Sequence, residues 1–329
     1  MTTRIIIDTD PGVDDALAFL LALASPEIQL EALTTTQGNV TLEKATRNAL
    51  SVLELACAGH IPVASGNLLP LVQPLRASPL VHGESGIGNA RLPEPQAKPL
   101  PQHAVDYLIE RVLAKPQEIS IFPIGPLTNI AMAIRKEPRF AEAVKELVIM
   151  GGAILEHGNM TPLAEFNIYV DPHAAHIVFH SGIPMTLIPL DVTHKCLLKQ
   201  EHVDRLMKIN SPISRFIRDT VEVYLQASYA LGYEGSALHD PLTLATIIAP
   251  ELLTLKEYHV DVDISGGVSM GKTFADFHNL LKKPANMKVA MNVRGEEFIE
   301  LFLQRMEELS YKIKDCARPI QRLTNPEGV

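Results

Sequence analysis

The sequence predicts an α/β protein: a doubly wound, mostly parallel sheet flanked by helices, with extra helices towards the C-terminal end. Three observations predict it. Several apolar runs are short and continuous, as strands buried on both faces are. Helical patterns alternate with those runs, which calls for right-handed crossovers between parallel strands. The 329 residues are 47% hydrophobic and 20% charged, enough for a large core and unlike a disordered chain.

Strand-like runs are expected at 5–7, 30–35, 119–124, 144–150 and 184–188. Between them fall helical patterns at about 14–23, 42–58, 127–134 and 172–180. The second half is more helical, with helices expected at 200–208, 212–231 and 241–248, strands at 258–264 and 287–293, and a closing helix at 296–308. Residues 68–101 are rich in Pro and Gly and have no period. A loop that long inside a domain is more often functional than idle. No repeat or linker divides the chain, so one domain is expected over 1–329.

The formal net charge of −9 and the lack of a basic stripe argue against a nucleic-acid partner. Cys57, Cys196 and Cys316 are few, odd in number and far apart, which suits a reducing compartment and no thiolate zinc site. There is no signal-peptide pattern and no apolar run of the ~18 residues a membrane span needs. A cytoplasmic protein without a membrane partner is the expectation.

The densest chemistry lies where the first strand meets the first helix. Asp8, Asp10, Asp14 and Asp15 fall within eight positions of "DTDPGVDD". Capping and the helix dipole explain one or two acids at a helix start, at about 1 kcal/mol together, but not four. Ligands of α/β sheets bind at the carboxyl ends of strands, where this loop falls. Oxygen-only donors point to a hard cation, Ca²⁺ or Mg²⁺. An EF-hand is excluded, because counting from Asp8 puts Phe19 where a bidentate Glu is required. A D-x-D phosphatase would use Asp8 as nucleophile and Asp10 as acid. It leaves Asp14 and Asp15 without a role.

"DTDPGVDDALA" resembles the signature of the inosine–uridine preferring nucleoside hydrolase family. So, in family order, do "TTTQGNV" at 34–40, "HGESGIG" at 82–88, "IGPLTNIA" at 124–131, "VIMGGA" at 148–153, "AEFNIYVDP" at 164–172 and "HDPL" at 239–242. The resemblance implies a Rossmann-related fold and hydrolysis of a ribonucleoside's N-glycosidic bond to ribose and free base, in nucleoside salvage. The transition state of such a reaction is oxocarbenium-like. The resemblance also implies Ca²⁺ held by Asp10, Asp15, Asp240 and the backbone carbonyl of Ile124, with Asp10 as general base. Asp14 and Asn39 are then expected on the ribose, with Glu165 and Asn167 on its hydroxyls and Asn159 at its 5′ end. An extended "EFN" would turn Glu165 and Asn167 to one side and Phe166 to the other, so Phe166 joins this segment mainly as packing. Met150 is expected in the core first and as a wall of the sugar pocket second.

The resemblance implies histidines that contact or protonate the base, and His239, which abuts Asp240, is the candidate general acid. His82, among Gly83, Gly86 and Gly88, is the candidate base contact, on a loop whose glycines suit a lid. The chain has no Trp, so it cannot activate a purine by Trp stacking. The helix at 212–231 and its exit should border the base, with Gln226 and Tyr229 as contacts and Tyr224 and Tyr233 as further candidates. Gln can bond a pyrimidine edge and Tyr can stack. Uridine and cytidine are the favoured substrates, with inosine also admitted. The family implies a homotetramer or homodimer. The rival readings are the phosphatase and a non-catalytic nucleoside-binding protein.

Overall fold

The computed structural model describes residues 2–75 and 82–316. Along that chain run β1 (Thr3–Thr9), β2 (Ile28–Thr35), β3 (Val63–Ser65), β4 (Ile119–Pro123), β5 (Glu146–Met150) and β6 (Met185–Ile188). They are followed by β7 (Leu197–Leu198), β8 (Ser236–Ala237), β9 (Leu253–Tyr258), β10 (Val260–Val262), β11 (Thr273–Ala275) and β12 (Met287–Val293). Eight of them form the central sheet in the order β3-β2-β1-β4-β5-β6-β12-β9. All its pairings are parallel except that of β12 with the edge strand β9. The remaining four make two small antiparallel ribbons, β7-β8 and β10-β11.

Alternation along the strands splits the core in two. Ile5 and Ile7 of β1, Phe122 of β4 and Val148 of β5 pack with the helices Val13–Ala24, Leu42–Leu55, Pro212–Ala230 and Gly295–Cys316. Ile6, Ile121, Leu147 and Ile149 face the other way, onto the helices Ala104–Ala114, Thr128–Lys136 and Pro172–Phe179. Each such fully buried side chain contributes about 1.5–3 kcal/mol. Both faces being covered is why the strands read as continuous apolar runs.

From β1 the chain winds outward through β2 to β3, then returns to place β4 on the other side of β1. The loops after β1 and β4 therefore diverge, and a crevice opens between them at the carboxyl end of the sheet. Asp10 follows β1 there and Ile124 follows β4.

Most expected elements are present with ends shifted by a few residues, and β12 matches 287–293. Four elements differ from the expectation. The edge strand β9 was not expected, because its sequence LTLKEY is mostly exposed and carries no continuous apolar run. The pattern at 258–264 is shortened to β10 within a ribbon. The helix expected at 241–248 is two short ones, His239–Thr243 and Ala245–Ile248. The amphipathic helix Ala104–Ala114 was missed outright. Within the long loop at 68–101, residues 76–81 lie outside the described residues.

On β2, Glu31 gathers three cations: Arg4 at 2.9 Å, Lys115 at 3.3 Å, and Arg111. Burial pushes its carboxyl up, but the hydrogen bonds from Arg111 and Lys115 outweigh this and hold it below the ordinary glutamate value. A depressed carboxyl stabilises the fold above its unfolded pKa, and that contribution is lost as pH falls through the folded one. Glu31→Gln is therefore expected to cost about 1–3 kcal/mol at neutral pH. Urea unfolding of the two proteins should differ at pH 7, with the gap shrinking as the pH drops below the glutamate range. An equal gap at both pH values would show that the charge is not responsible.

Candidate active site

A cavity of about 370 Å³ opens at this crevice. Its floor and one wall carry Asp14, Asn39, Ile124, Met150, Asn159, Glu165, Asn167 and Asp240. Its other wall carries His82, His194, Tyr224, Ser228, Tyr233 and His239. Asp10 and Asp15 lie beneath this lining, fully buried.

The loop geometry is local chemistry. Pro11 and Gly12 turn the chain so that the helix Val13–Ala24 starts at once. Asp15, in its first turn, accepts from the Gly12 amide at 2.8 Å and the Asp10 amide at 3.3 Å. It also accepts from the Thr9 hydroxyl at 2.5 Å and the Asn39 side-chain amide at 3.2 Å. Capping thus explains Asp15 in part, and only Asp15. Asp10 accepts from the Asn39 amide at 2.6 Å through Oδ2, while its buried Oδ1 has no hydrogen-bond partner among the described residues. Asp8 sits one step back, at the end of β1. Its Oδ1 accepts from Thr34 at 2.5 Å and Asn129 at 2.8 Å, and burial pushes its carboxyl up to about 7.

One carboxylate oxygen from each of Asp14, Asp15 and Asp240 comes within 4.8 Å of the others. The tightest acidic group therefore includes Asp14 as well as Asp15 and Asp240, whereas the sequence reading gave Asp14 to the sugar. Burial, and then repulsion among these acids, pushes Asp10, Asp14 and Asp240 well above the carboxylate range. Four buried acids this close need a compensating charge. The donor set fits a hard divalent cation: carboxylate oxygens, an unpartnered Oδ1 on Asp10, and the Ile124 carbonyl. That carbonyl accepts from Asn167 Nδ2 at 2.9 Å, which leaves one of its two lone pairs.

Glu165 and Asn167 do meet at the cavity, but not on an extended segment. Glu165 is the N-cap of the helix Phe166–Val170, accepting from the amides of Asn167 at 2.8 Å and Ile168 at 3.1 Å, and from Gly152 at 3.0 Å. Phe166 therefore does not turn away; it lines the cavity with them. Asn159 accepts from the Phe166 amide at 2.9 Å through Oδ1, so its side-chain NH₂ is left for the cavity.

His82 accepts from the Val13 amide through Nδ1 at 3.1 Å, which places its proton on Nε2. Burial pushes its pKa down to about 4, so the ring is neutral at pH 7, and it stacks against Tyr224 with centroids 5.9 Å apart. His239 Nδ1 lies 2.8 Å from the Thr193 hydroxyl, and burial holds its pKa well below the usual histidine value.

Two expected base contacts are not at the cavity. Gln226 and Tyr229 are exposed and lie off it. The helix Pro212–Ala230 turns Tyr224, Ala227 and Ser228 inward, at the i, i+3, i+4 spacing of one face. The sequence does not set the register of this stretch, and Gln226 and Tyr229 fall on its outward face. His194 was missed. It follows β6, its ring lies 5.7 Å from His239 and 5.5 Å from Tyr233, and the carboxyl-end rule was the signal that could have found it.

A doubly wound sheet with an acid-floored cavity at its switch point places the chain among α/β proteins that bind a small ligand at the carboxyl ends of their strands. Within that class, the chain belongs to the inosine–uridine preferring nucleoside hydrolase family, whose profile matches residues 5–300. It is 41% identical over 308 residues to the pyrimidine-specific ribonucleoside hydrolase RihA of Photobacterium profundum, covering 93% of this chain and 99% of that one. Among solved structures it resembles the purine-preferring ribonucleoside hydrolase from Gardnerella vaginalis, with TM-score 0.89 and 35% identity over 94% of this chain and 99% of that one. It also resembles the plant nucleoside hydrolase PpNRh1, with TM-score 0.88 and 36% identity over 93% and 99%. Membership makes the chain a ribonucleoside hydrolase and removes the phosphatase reading. Asp8, the nucleophile of that reading, is fully buried behind the site. Among the described residues no helix is long and apolar enough to cross a membrane.

Proposed function

We propose that this enzyme hydrolyses pyrimidine ribonucleosides, uridine and cytidine before inosine, using Ca²⁺ at the floor of the cavity. The observation that carries the reading is the cluster of Asp14, Asp15 and Asp240 at the floor of a cavity whose other wall is histidine and tyrosine, with Asp10 close enough to repel Asp14 and Asp15. Asp15, Asp240, Asp10 and the Ile124 carbonyl would hold the ion. Bound there, a hard cation would lower the pKa of an attacking water and template the ribose diol.

The chain's own groups do the rest. Asp10 accepts the water's proton through its unpartnered Oδ1. Asp14, Asn39, Glu165 and Asn167 orient the ribose, Asn159 reaches the 5′ end, and Met150 and Phe166 wall it. The buried carboxylates also stabilise the positive charge that develops on the sugar. His82 offers its Nε2–H to an acceptor on the base. His239, oriented by Thr193, is the proposed proton donor to the departing base, and because burial lowers its pKa it would have to take up that proton with the nucleoside bound. Tyr224 and Tyr233, rather than Gln226 and Tyr229, border the base.

Two facts favour pyrimidines: relatives about 40% identical are named pyrimidine-specific, and the chain has no Trp to stack on a purine. A cytoplasmic homotetramer or homodimer acting in nucleoside salvage completes the proposal. Ribose release from uridine, cytidine and inosine, with and without a chelator, tests it. Chelator-sensitive release that returns with Ca²⁺ is expected, with uridine faster than inosine. Chelator-resistant turnover would overturn the metal, and a faster purine would overturn the base preference. Nucleoside binding without ribose release would favour a binding protein.

A further inference from the structure

We infer that the chain carries a second metal site, for a divalent transition ion of the Zn²⁺ class, made by His176, His180 and Asp261. None of the three lines the cavity described above. His176 lies in the helix Pro172–Phe179 and His180 caps its end, four residues on and so on the same face. Asp261 is the middle residue of β10, between the buried Val260 and Val262, so alternation turns it outward.

One ligand atom from each of the three lies within 4.8 Å of the others, and the two histidines face different oxygens of Asp261, which suits one ion held by both oxygens. Asp261 Oδ1 lies 3.3 Å from His176 Nδ1, and Asp261 Oδ2 lies 3.6 Å from His180 Nε2. Ligands about 2.0–2.1 Å from a tetrahedral ion stand about 3.4 Å apart. The protonation pattern is right as well. His180 Nδ1 lies 2.8 Å from the His176 carbonyl, which can only accept, so the ring proton is on Nδ1 and Nε2 presents a lone pair. A backbone carbonyl fixing the far nitrogen is the usual support of a metal-binding histidine. His176 Nδ1 is buried with no hydrogen-bond partner among the described residues. Beside them, His259 has its ring centroid 6.3 Å from His180. Its Nδ1 donates to Pro284 at 3.1 Å, and its Nε2 is buried without a partner.

The bare lone pair of His180 Nε2 facing a carboxylate repels it unless a proton or a metal ion lies between them. Imidazole with one carboxylate selects Zn²⁺-like ions, whereas the all-oxygen set of the active site selects hard ones. A groove lined by Arg135, Pro138, Ile177 and Ser181 gives access. A bound ion would tie the helix Pro172–Phe179 to β10.

The test uses the full chain with Ca²⁺ present to fill the acidic site. Titration with Co²⁺ should give the visible bands of a four- or five-coordinate ion at one equivalent, and Zn²⁺ should displace them. At about 100 times Kd, Zn²⁺ should raise Tm by about 3–5 °C. The double variant His176→Gln, His180→Gln should lose both responses while hydrolysing nucleosides as before, so a failure here is distinct from a failure of the active-site reading. Absent bands, or bands that persist in the double variant, would overturn the site and leave an imidazolium–Asp261 ion pair.

Discussion

Asp10→Asn should lower kcat by about 10²–10⁴-fold while the protein stays folded. Oδ2 of Asp10 is held by the Asn39 amide, and the amide oxygen of Asn can accept that same bond. The NH₂ would then point where the unpartnered Oδ1 points now, a donor in place of a base. The charge removed is one of several that repel each other out of water. Without a bound cation, the variant's Tm should therefore equal or exceed that of the parent. Stability and turnover moving in opposite directions is the signature of a group kept for chemistry rather than for packing. Asp15→Asn is the contrast, because Asp15 caps the first helix through Gly12 and should lose both stability and activity. Undiminished turnover in Asp10→Asn would remove Asp10 as the base.

The contrast between these two acids also marks where sequence reasoning reaches. The position of the acidic loop was legible, because a strand, a turn and a helix start each have local signatures. The meeting of that loop with Ile124, Asn167 and Asp240 came from ordered family blocks, since no local rule brings residue 240 to residue 15. The strands were readable where both faces are buried, as in β1 and β4, and not where one edge meets solvent, as in β9. On the base side, the sequence reveals a helix of nineteen residues but not its inward face, so of four candidates Tyr224 and Tyr233 line the cavity while Gln226 and Tyr229 do not. His194 comes to His239 by tertiary packing, which spacing cannot report.

Gly38 of "TTTQGNV" and Gly125 of "IGPLTNIA" clamp Asp10 from two sides. A Cβ on Gly38 would stand 2.0 Å from Asp10 Oδ2, and one on Gly125 would stand 2.4 Å from Oδ1. Neither glycine has a left-handed φ, so the requirement is space and not backbone freedom. The bare backbone of β4's exit loop is what lets the Asp10 carboxylate lie flat between two strand ends. Gly125→Ala must displace that carboxylate, and a shift of about 1 Å at a catalytic group can cost about 10²-fold in rate. The expected result is a loss of kcat of that order or more, with the larger share of the damage in kcat rather than KM, since Asn167 and Glu165, proposed to hold the sugar, stand apart at the start of the helix Phe166–Val170. Gly267→Ala is the matched control: nothing lies within 4 Å of its Cβ and no positive φ is involved, so activity and Tm should both hold. If Gly125→Ala folded and turned over like the parent, Asp10 would have freedom that a fixed general base cannot have. Its unpartnered oxygen would then need a different explanation.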